Sequence, residues 1–202
     1  MDLDEKIFNF AYEFALRDAT LQNAYTGSLD VLRKNAEAKL ILRAYIDTIF
    51  AGNAYEGLFW ETAQRIEESF AAFLDGRQPR FTFGNTQKLI NMTTKYMFIA
   101  CYQNSGLRRS FASCHCPMDR IMVDRVIKEL ERVFALSSSI EERHQIRSLM
   151  SRGWKNLLRS PWSKMESSNV DQYKLYQRIV RFLSEREGIS PLEYDFFMWR
   201  QE

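Results

Sequence analysis

Two short segments of the chain place an amine and a carboxylate where they could react together. The first, 84–88, reads GNTQK and puts Lys88 in the opening turn of an apolar helix. The second, 116–120, reads CPMDR and puts Asp119 in the opening turn of the next long helix. An uncharged amine is a nucleophile, and a carboxylate beside it stabilises a positive charge that develops during a reaction. The two segments therefore predict a lysine–aspartate reaction centre.

Chain geometry allows these two side chains to meet. A helix over 86–103 is ~27 Å long at its rise of 1.5 Å per residue, and the segment 104–116 can span at most ~45 Å. The connection can therefore return to the start of the helix. The helix dipole and a partly dry setting both disfavour the charged form of a lysine there. An amine with a carboxylate suits attack at a sugar C1′, where a glycosidic bond leaves through an oxocarbenium-like state.

Both residues also have structural explanations. An aspartate in a first helical turn complements the helix dipole, and for Asp119 alone this is the simpler interpretation. A lysine in a first turn opposes the dipole, so Lys88 is harder to explain without a function. Asn91 and Lys95 lie three and seven residues after Lys88, on the same helix face. This polar stripe fits either a reaction site or a face turned to solvent.

Charge is distributed unevenly along the chain. Residues 1–75 hold 7 basic and 13 acidic side chains, a net of −6, whereas residues 76–202 hold 21 and 13, a net of +8. The run 143–164 has no acidic residue and interleaves Trp154 and Trp162 with six cations. Cations with aromatic rings suit phosphate contact and base stacking. The alternatives are chance clustering on solvated helix faces and tryptophans that belong to the core.

The periodicity of apolar residues predicts a single all-α domain over 1–202, with an acidic N-terminal part at 1–75 and a basic part at 76–202. Capping residues and breakers divide it into about eight helices, with 104–116 as the longest irregular stretch. No uninterrupted apolar run is long enough to span a membrane, and the start of the chain has no signal-peptide pattern. Three cysteines give no disulfide framework. We expect a cytoplasmic monomer without membrane contact. The predicted helices cover 3–17, 28–51, 55–74, 85–103, 117–134, 139–159, 169–187 and 190–199.

The segments GNTQKLIN at 84–91 and CPMDRIM at 116–122 resemble the core of helix-hairpin-helix DNA glycosylases. In that all-α superfamily a hairpin leads into a helix that starts with the catalytic lysine, and a Pro-x-Asp segment places the catalytic aspartate at the next helix start. The spacing of 31 residues from Lys88 to Asp119 is similar to that of the compact archaeal 8-oxoguanine glycosylase branch. A small phage-defence glycosylase acting on hypermodified cytosine is a related possibility. The usual LPGVG hairpin is absent, and FTFGN stands at 81–85.

The resemblance implies base excision from duplex DNA with an extruded base, and a Schiff base that permits strand cleavage. It requires no metal and no organic cofactor. It leaves open whether the base is an oxidised purine or a bulky modified cytosine. The implied catalytic residues are Lys88 and Asp119. The implied DNA contacts are Asn85, Thr86, Gln87, Arg108, Arg109, Arg152, Lys155 and Arg159, and the candidates for the base pocket are Asn91, Lys95, His115 and Trp154. The mouth of the cleft is expected to be basic, with Arg77 and Arg80 near it.

Two other functions fit parts of the sequence. Arg109 and His115 have the Arg-x5-His spacing of small all-α ribonucleases of the HEPN type, although Pro117 places His115 in a loop. The chain could also be a helical adaptor whose basic face binds nucleic acid or an acidic protein. Cys114 and Cys116 around His115 give only a weak zinc signal without a second C-x-x-C pair, so no metal is predicted.

Overall fold

The computed structural model describes residues 3–21, 24–55 and 57–199, and within these ranges the chain is helical and has no strand. The prediction of an all-α fold is confirmed. None of the helices described is long and apolar enough to cross a membrane. The helices are α1 Leu3–Thr20, α2 Leu29–Leu32, α3 Ala36–Phe50, α4 Leu58–Leu74, α5 Phe83–Ala100, α6 Ser105–Ser110, α7 Arg120–Leu136, α8 Ile140–Leu149, α9 Trp154–Leu158, a 3₁₀ turn Trp162–Lys164, α10 Asp171–Arg186 and α11 Pro191–Trp199.

The chain is divided more finely than the sequence predicts. The helix expected over 28–51 breaks before Asn35, whose side chain accepts the Ala38 N–H and starts α3. The helix expected over 139–159 breaks at Gly153, where a φ of 80° is left-handed. The stretch expected to be irregular contains α6, because the Asn104 side chain accepts two N–H groups at its start. Each difference arises from a local cap, which periodicity does not detect.

Helix α5 is the central element and is buried on every side over its first three turns. Helix α1 packs along it, and α3, α4 and the 3₁₀ turn add further contacts. Its sequence is nevertheless polar, since Asn85, Thr86, Gln87, Lys88 and Asn91 are all buried. Polar groups are retained in a core only when they have partners there. The fold therefore supplies hydrogen bonds and charges along α5 that an ordinary core helix would not need.

The start of α5 is covered by the chain itself. Thr82 and Asn85 form a reciprocal capping box, and the Gly84 N–H donates to the Met165 carbonyl over 3.0 Å. A β-carbon at Gly84 would lie 1.9 Å from the carbonyl oxygen of Trp162. Glycine is thus required for the 3₁₀ turn to approach, and this approach places Trp162 beside α5.

We predict that Gly84→Ala destabilises the protein by about 1–3 kcal/mol, because the new methyl group must push a backbone segment off the helix. Urea denaturation followed by circular dichroism measures the change. Gly106→Ala is the matched control, since its β-carbon meets only the side-chain oxygen of Asn104 at 3.3 Å. Equal stability of the two variants would contradict the close approach.

Candidate active site: a buried lysine–aspartate pair

Lys88 lies in the second turn of α5, as its sixth residue, rather than in the opening turn that the sequence predicts. The helix begins at Phe83 because Thr82 caps it. The dipole of a helix acts mainly on groups in its first turn. Burial and the nearby Asp119 carboxylate are therefore the features that bear on the reactivity of Lys88, and the helix dipole contributes little.

Asp119 is the N-cap of α7 and uses its two carboxylate oxygens for two different partners. Oδ1 accepts the Met122 N–H over 2.9 Å, and Oδ2 lies 2.9 Å from Nζ of Lys88. The helix starts at Arg120 instead of at Pro117 as predicted, because Asp119 is extended, with φ −140° and ψ 174°. The lysine side chain is 8% exposed and that of the aspartate 27%. The expected approach of Lys88 to Asp119 is observed.

Helix α10 holds the segment that carries Asp119. The Gln177 side chain accepts the Cys116 N–H and donates to the Cys116 carbonyl, over 3.1 and 2.7 Å. The Tyr176 hydroxyl donates to the Pro117 carbonyl over 2.8 Å. These bonds fix the backbone just before Asp119. The carboxylate is therefore positioned by both α7 and α10.

The pKa of Asp119 lies below its ordinary value. Burial opposes its ionisation, but the Lys88 ammonium, the Met122 N–H and the charge of Lys95 together outweigh that cost. The carboxyl group is therefore a carboxylate at neutral pH, as a group that stabilises a developing positive charge must be.

A second buried ion pair lies two turns further along α5. Lys95 contacts Asp195 of α11, whose side chain is 2% exposed, and its ammonium lies 4.9 Å from the ring centre of Phe196 and 5.9 Å from that of Trp199. Burial raises the pKa of Asp195 and the charge of Asp119 raises it further, while Lys95 opposes both. The two pairs form one electrostatic cluster. Asp195 is not among the residues predicted from the sequence. A carboxylate within the apolar segment LEYDFFMW nevertheless indicates that the carboxylate has a buried cationic partner.

A cavity of about 410 Å³ is lined by Trp162 and Arg120, which neighbour the first pair, whereas neither Lys88 nor Asp119 itself lines it. Trp162 joins the two features, since it lines the cavity and its ring centre is 6.0 Å from Nζ of Lys88. Arg120 and Arg159 also line the cavity, together with Ser163. Arg159 pairs with Asp124 over 3.1 Å, whereas Arg120 is exposed at the first position of α7. The cavity thus offers cations and an aromatic ring beside a buried amine.

The structure corrects three of the predicted DNA contacts. Asn85, Thr86 and Gln87 are fully buried. Asn85 donates to the carbonyls of Ala19 and Ala24, and Gln87 donates to that of Met118. Asn85 and Gln87 thus join the start of α5 to its neighbours, and none of the three side chains is accessible to a DNA backbone.

The other predicted DNA contacts are dispersed. Arg159 lies at the cavity next to the pair, whereas Arg108 and Arg109 line a different, larger cavity. Lys155 pairs with Glu131, and Arg152 is exposed in the turn before α9. Arg77 and Arg80 are exposed on the connection between α4 and α5. The expectation of one continuous basic mouth is therefore met only in part, by Arg159 and the unpredicted Arg120.

Of the predicted base-pocket residues, only Lys95 both lies near the Lys88–Asp119 pair and has a side chain partly exposed to solvent. Asn91 is buried and donates to Gln87 and to the Tyr173 hydroxyl. The same hydroxyl lies 2.8 Å from Nδ1 of His115, and His115 lines the larger cavity. Trp154 is buried. The accessible aromatic rings near the two ion pairs are those of Trp162 and Trp199.

The cysteines flanking His115 are buried and have local partners. Burial raises the pKa of the Cys114 thiol to about 12, and Sγ of Cys116 lies 3.2 Å from the Tyr176 hydroxyl. Across the part of the chain that the structure describes, no three histidine, cysteine or acidic side chains form a group that could hold a metal ion.

Comparisons with protein-family models, with curated proteins and with solved structures find no match. The chemistry of the site is therefore the basis for assigning a function.

His115 makes stability sensitive to acid. Burial, and secondarily the charge of Arg181, lower the pKa of His115 from 6.5 to about 3. Between these values the unfolded chain binds a proton that the folded chain does not, so the stability attributable to this residue falls as the pH falls. The slope is at most about 1.4 kcal/mol per pH unit.

We predict that His115→Gln reduces this loss of stability between pH 6 and pH 4, because glutamine cannot titrate there and its carbonyl can still accept from Tyr173. Urea midpoints measured along the pH series test this. His144→Gln is the control, since His144 is exposed on α8. A slope in His115→Gln as steep as that of the parent protein would refute the assignment.

Proposed function

We propose that the protein is a DNA glycosylase with lyase activity, a hydrolase that removes a modified base from double-stranded DNA. The observation that carries the proposal is the 2.9 Å approach of the buried Lys88 amine to the Asp119 carboxylate. An amine held against a carboxylate suits covalent catalysis at a sugar carbon.

In this mechanism the Lys88 ammonium passes a proton through the Asp119 carboxylate to the departing base, and the amine that results attacks C1′ of the target nucleotide. A nitrogen–C1′ bond forms, and the glycosidic bond breaks with its electron pair leaving on the base, which takes up that proton. Asp119, ionised and close by, stabilises the positive charge on the sugar during that step. Opening of the sugar ring then gives a Schiff base on Lys88, from which a strand break can follow.

The surroundings of the pair support a nucleic-acid substrate. Arg120 occupies the first position of α7, where a cation opposes the helix dipole at a cost of about 0.3–1 kcal/mol. A phosphate at the adjacent cavity would offset this cost. Trp162 offers a ring face beside the cavity, and aromatic rings commonly stack on bases that have left the duplex.

Lys95 is the group we assign to recognition of the extruded base. Its partly open ammonium is held by the buried Asp195, and the exposed ring of Trp199 lies next to it. Both an oxidised purine and a hypermodified phage cytosine present polar edges that such a donor could bind. The first substrate implies base excision repair and the second implies phage defence.

In this proposal, α4, the connection 75–82 and α5 correspond to the helix-hairpin-helix element of the glycosylases. The N-terminus of α5 is covered by the 3₁₀ turn, so we do not assign phosphate binding to its backbone amides. In this proposal the DNA backbone is bound through Arg120 and Arg159 instead.

The HEPN-type ribonuclease is less well supported. Arg109 and His115 line the same cavity, as that function requires. However, the lowered pKa of His115 leaves it neutral at physiological pH, so it cannot act there as a general acid. A non-enzymatic adaptor needs no buried lysine–aspartate pair, and a single variant distinguishes it from an enzyme.

We predict that borohydride traps a covalent adduct between the protein and a duplex that contains one abasic site. The abasic sugar exposes an aldehyde, so this substrate tests the Lys88 amine without knowledge of the base. Lys88→Gln should form no adduct, because a carboxamide is not a nucleophile. Denaturing electrophoresis detects the adduct, and peptide mapping locates it.

Lys95→Gln is the matched control, since it removes the other buried lysine of α5 and should leave the adduct on Lys88. An adduct that maps to Lys95, or one that persists in Lys88→Gln, would exclude Lys88 as the nucleophile. Duplexes with 8-oxoguanine or glucosylated hydroxymethylcytosine then identify the base.

We predict that Asp119→Asn releases base from its substrate about 10²–10³-fold more slowly, because the sugar cation loses its counter-charge. Asparagine is as good an N-cap as aspartate, so α7 should remain intact. Single-turnover kinetics on the substrate duplex measure the effect, and circular dichroism checks the fold. An undiminished rate would remove Asp119 from the mechanism.

We predict that Arg120→Ala lowers the steepness with which DNA affinity falls with salt, by about one unit in the plot of log Kobs against log salt concentration. Fluorescence anisotropy with a labelled duplex provides the measurement. Lys34→Ala, an exposed cation of the acidic half, should leave the slope unchanged. The same slope in both variants would show that Arg120 does not contact phosphate.

A further inference from the structure

A second cavity, larger than the one that Trp162 lines, has neither Lys88 nor Asp119 among its lining residues. It is an open cavity of about 960 Å³ between α6, the C-terminal half of α10 and the start of α11. The proposed base excision uses none of its lining residues. Three arginines line it, namely Arg108, Arg109 and Arg181. Its volume falls at the upper end of the usual range for sites that bind small molecules.

The charge of this cavity favours an anion. Three guanidinium groups against the two carboxylates of Glu185 and Glu193 give it a net of +1. Glu193 is engaged at the wall, where Oε2 accepts the N–H and the hydroxyl of Ser190 in a capping box. The positive end of the α11 dipole lies at the same wall. Arginine is the side chain best shaped for paired hydrogen bonds to phosphate oxygens.

His115 adds a buried donor to this cavity. The Tyr173 hydroxyl oxygen accepts an N–H from Asn91 over 2.9 Å, and its own hydrogen needs an acceptor. Nδ1 of His115 lies 2.8 Å away, and we assign it as that acceptor. A neutral imidazole that accepts at Nδ1 carries its proton on Nε2. Because the Nδ1 edge faces the buried tyrosine, the opposite edge, with Nε2–H, is the one at the cavity.

We propose that this cavity is a phosphate-binding site for a phosphorylated nucleoside or a nucleic-acid phosphate, held by Arg108, Arg109, Arg181 and the Nε2–H of His115. The site is separate from the proposed reaction centre, and it does not depend on the glycosylase activity. The volume beyond the phosphate accommodates the organic part of the ligand.

Nuclear magnetic resonance of the full chain labelled with ¹⁵N-histidine tests the proposal. The chain has two histidines, so His144→Gln assigns the signals. We expect His115 to show a proton on Nε2, and we expect that signal to shift on addition of inorganic phosphate or adenosine 5′-monophosphate. Adenosine, which lacks the phosphate, should cause no shift. A proton on Nδ1, or no response to either phosphate compound, would overturn the proposal.

Two arginines of α10 provide the matched variants. Arg181→Ala should weaken binding of adenosine 5′-monophosphate about tenfold or more, since a charged hydrogen bond to phosphate is lost. Arg178→Ala removes an exposed arginine one turn earlier that does not line the cavity, and it should change the affinity less than about twofold. Both arginines are exposed, so the fold should tolerate both changes. Equal affinities of the two variants would refute the site.

The source of the phosphate is decided by competition. Displacement of adenosine 5′-monophosphate by an unmodified duplex would identify a nucleic-acid backbone as the ligand, and its retention would identify a free nucleotide. Either result is compatible with the site. Lys88→Gln should bind the nucleotide as the parent protein does, so a failure of the glycosylase proposal and a failure of this one give different results.

Discussion

The Asp119 carboxylate is the group on which the site depends. One oxygen caps α7 through the Met122 N–H, and the other compensates the charge of Lys88 in a setting that is largely dry. A buried cation that loses its partner is strongly destabilising, often by 3–5 kcal/mol. Helices α5 and α7 are therefore held together where the buried Lys88 amine meets the Asp119 carboxylate. The start of α7 and the position of the amine cannot change independently.

The remaining polar residues of α5 follow the same constraint. Gln87 donates to the Met118 carbonyl next to Asp119, and Asn91 links Gln87 to Tyr173. An apolar helix in this position would pack with less difficulty, because every buried amide requires a partner. The polar core costs stability and gives one defined arrangement of side chains. Such an arrangement is what a reaction at a fixed distance needs.

The fold class and the approach of Lys88 to Asp119 could be predicted from sequence because they depend on periodicity, caps and the reach of a loop. The placement of Asn85 and Gln87 could not, since a polar residue in a helix start is equally typical of a surface that binds phosphate. The burial of Asn85 and Gln87 depends on the 3₁₀ turn at Trp162, which covers the start of α5. Trp162 lies 78 residues after Gly84 in the chain. The role of Asp195 could not be predicted for a similar reason, because its partner Lys95 lies 100 residues away in the chain.

The orientation of the Asn91 amide has a consequence for an imidazole that it does not touch. Its nitrogen donates to Gln87 on one side and to the Tyr173 hydroxyl on the other, so the carboxamide is held in one orientation. The hydroxyl lies 2.8 Å from Nδ1 of His115. A proton on Nδ1 would give the hydroxyl oxygen two donors and leave its own hydrogen without an acceptor among these groups, so one carboxamide selects the tautomer of a histidine on another segment.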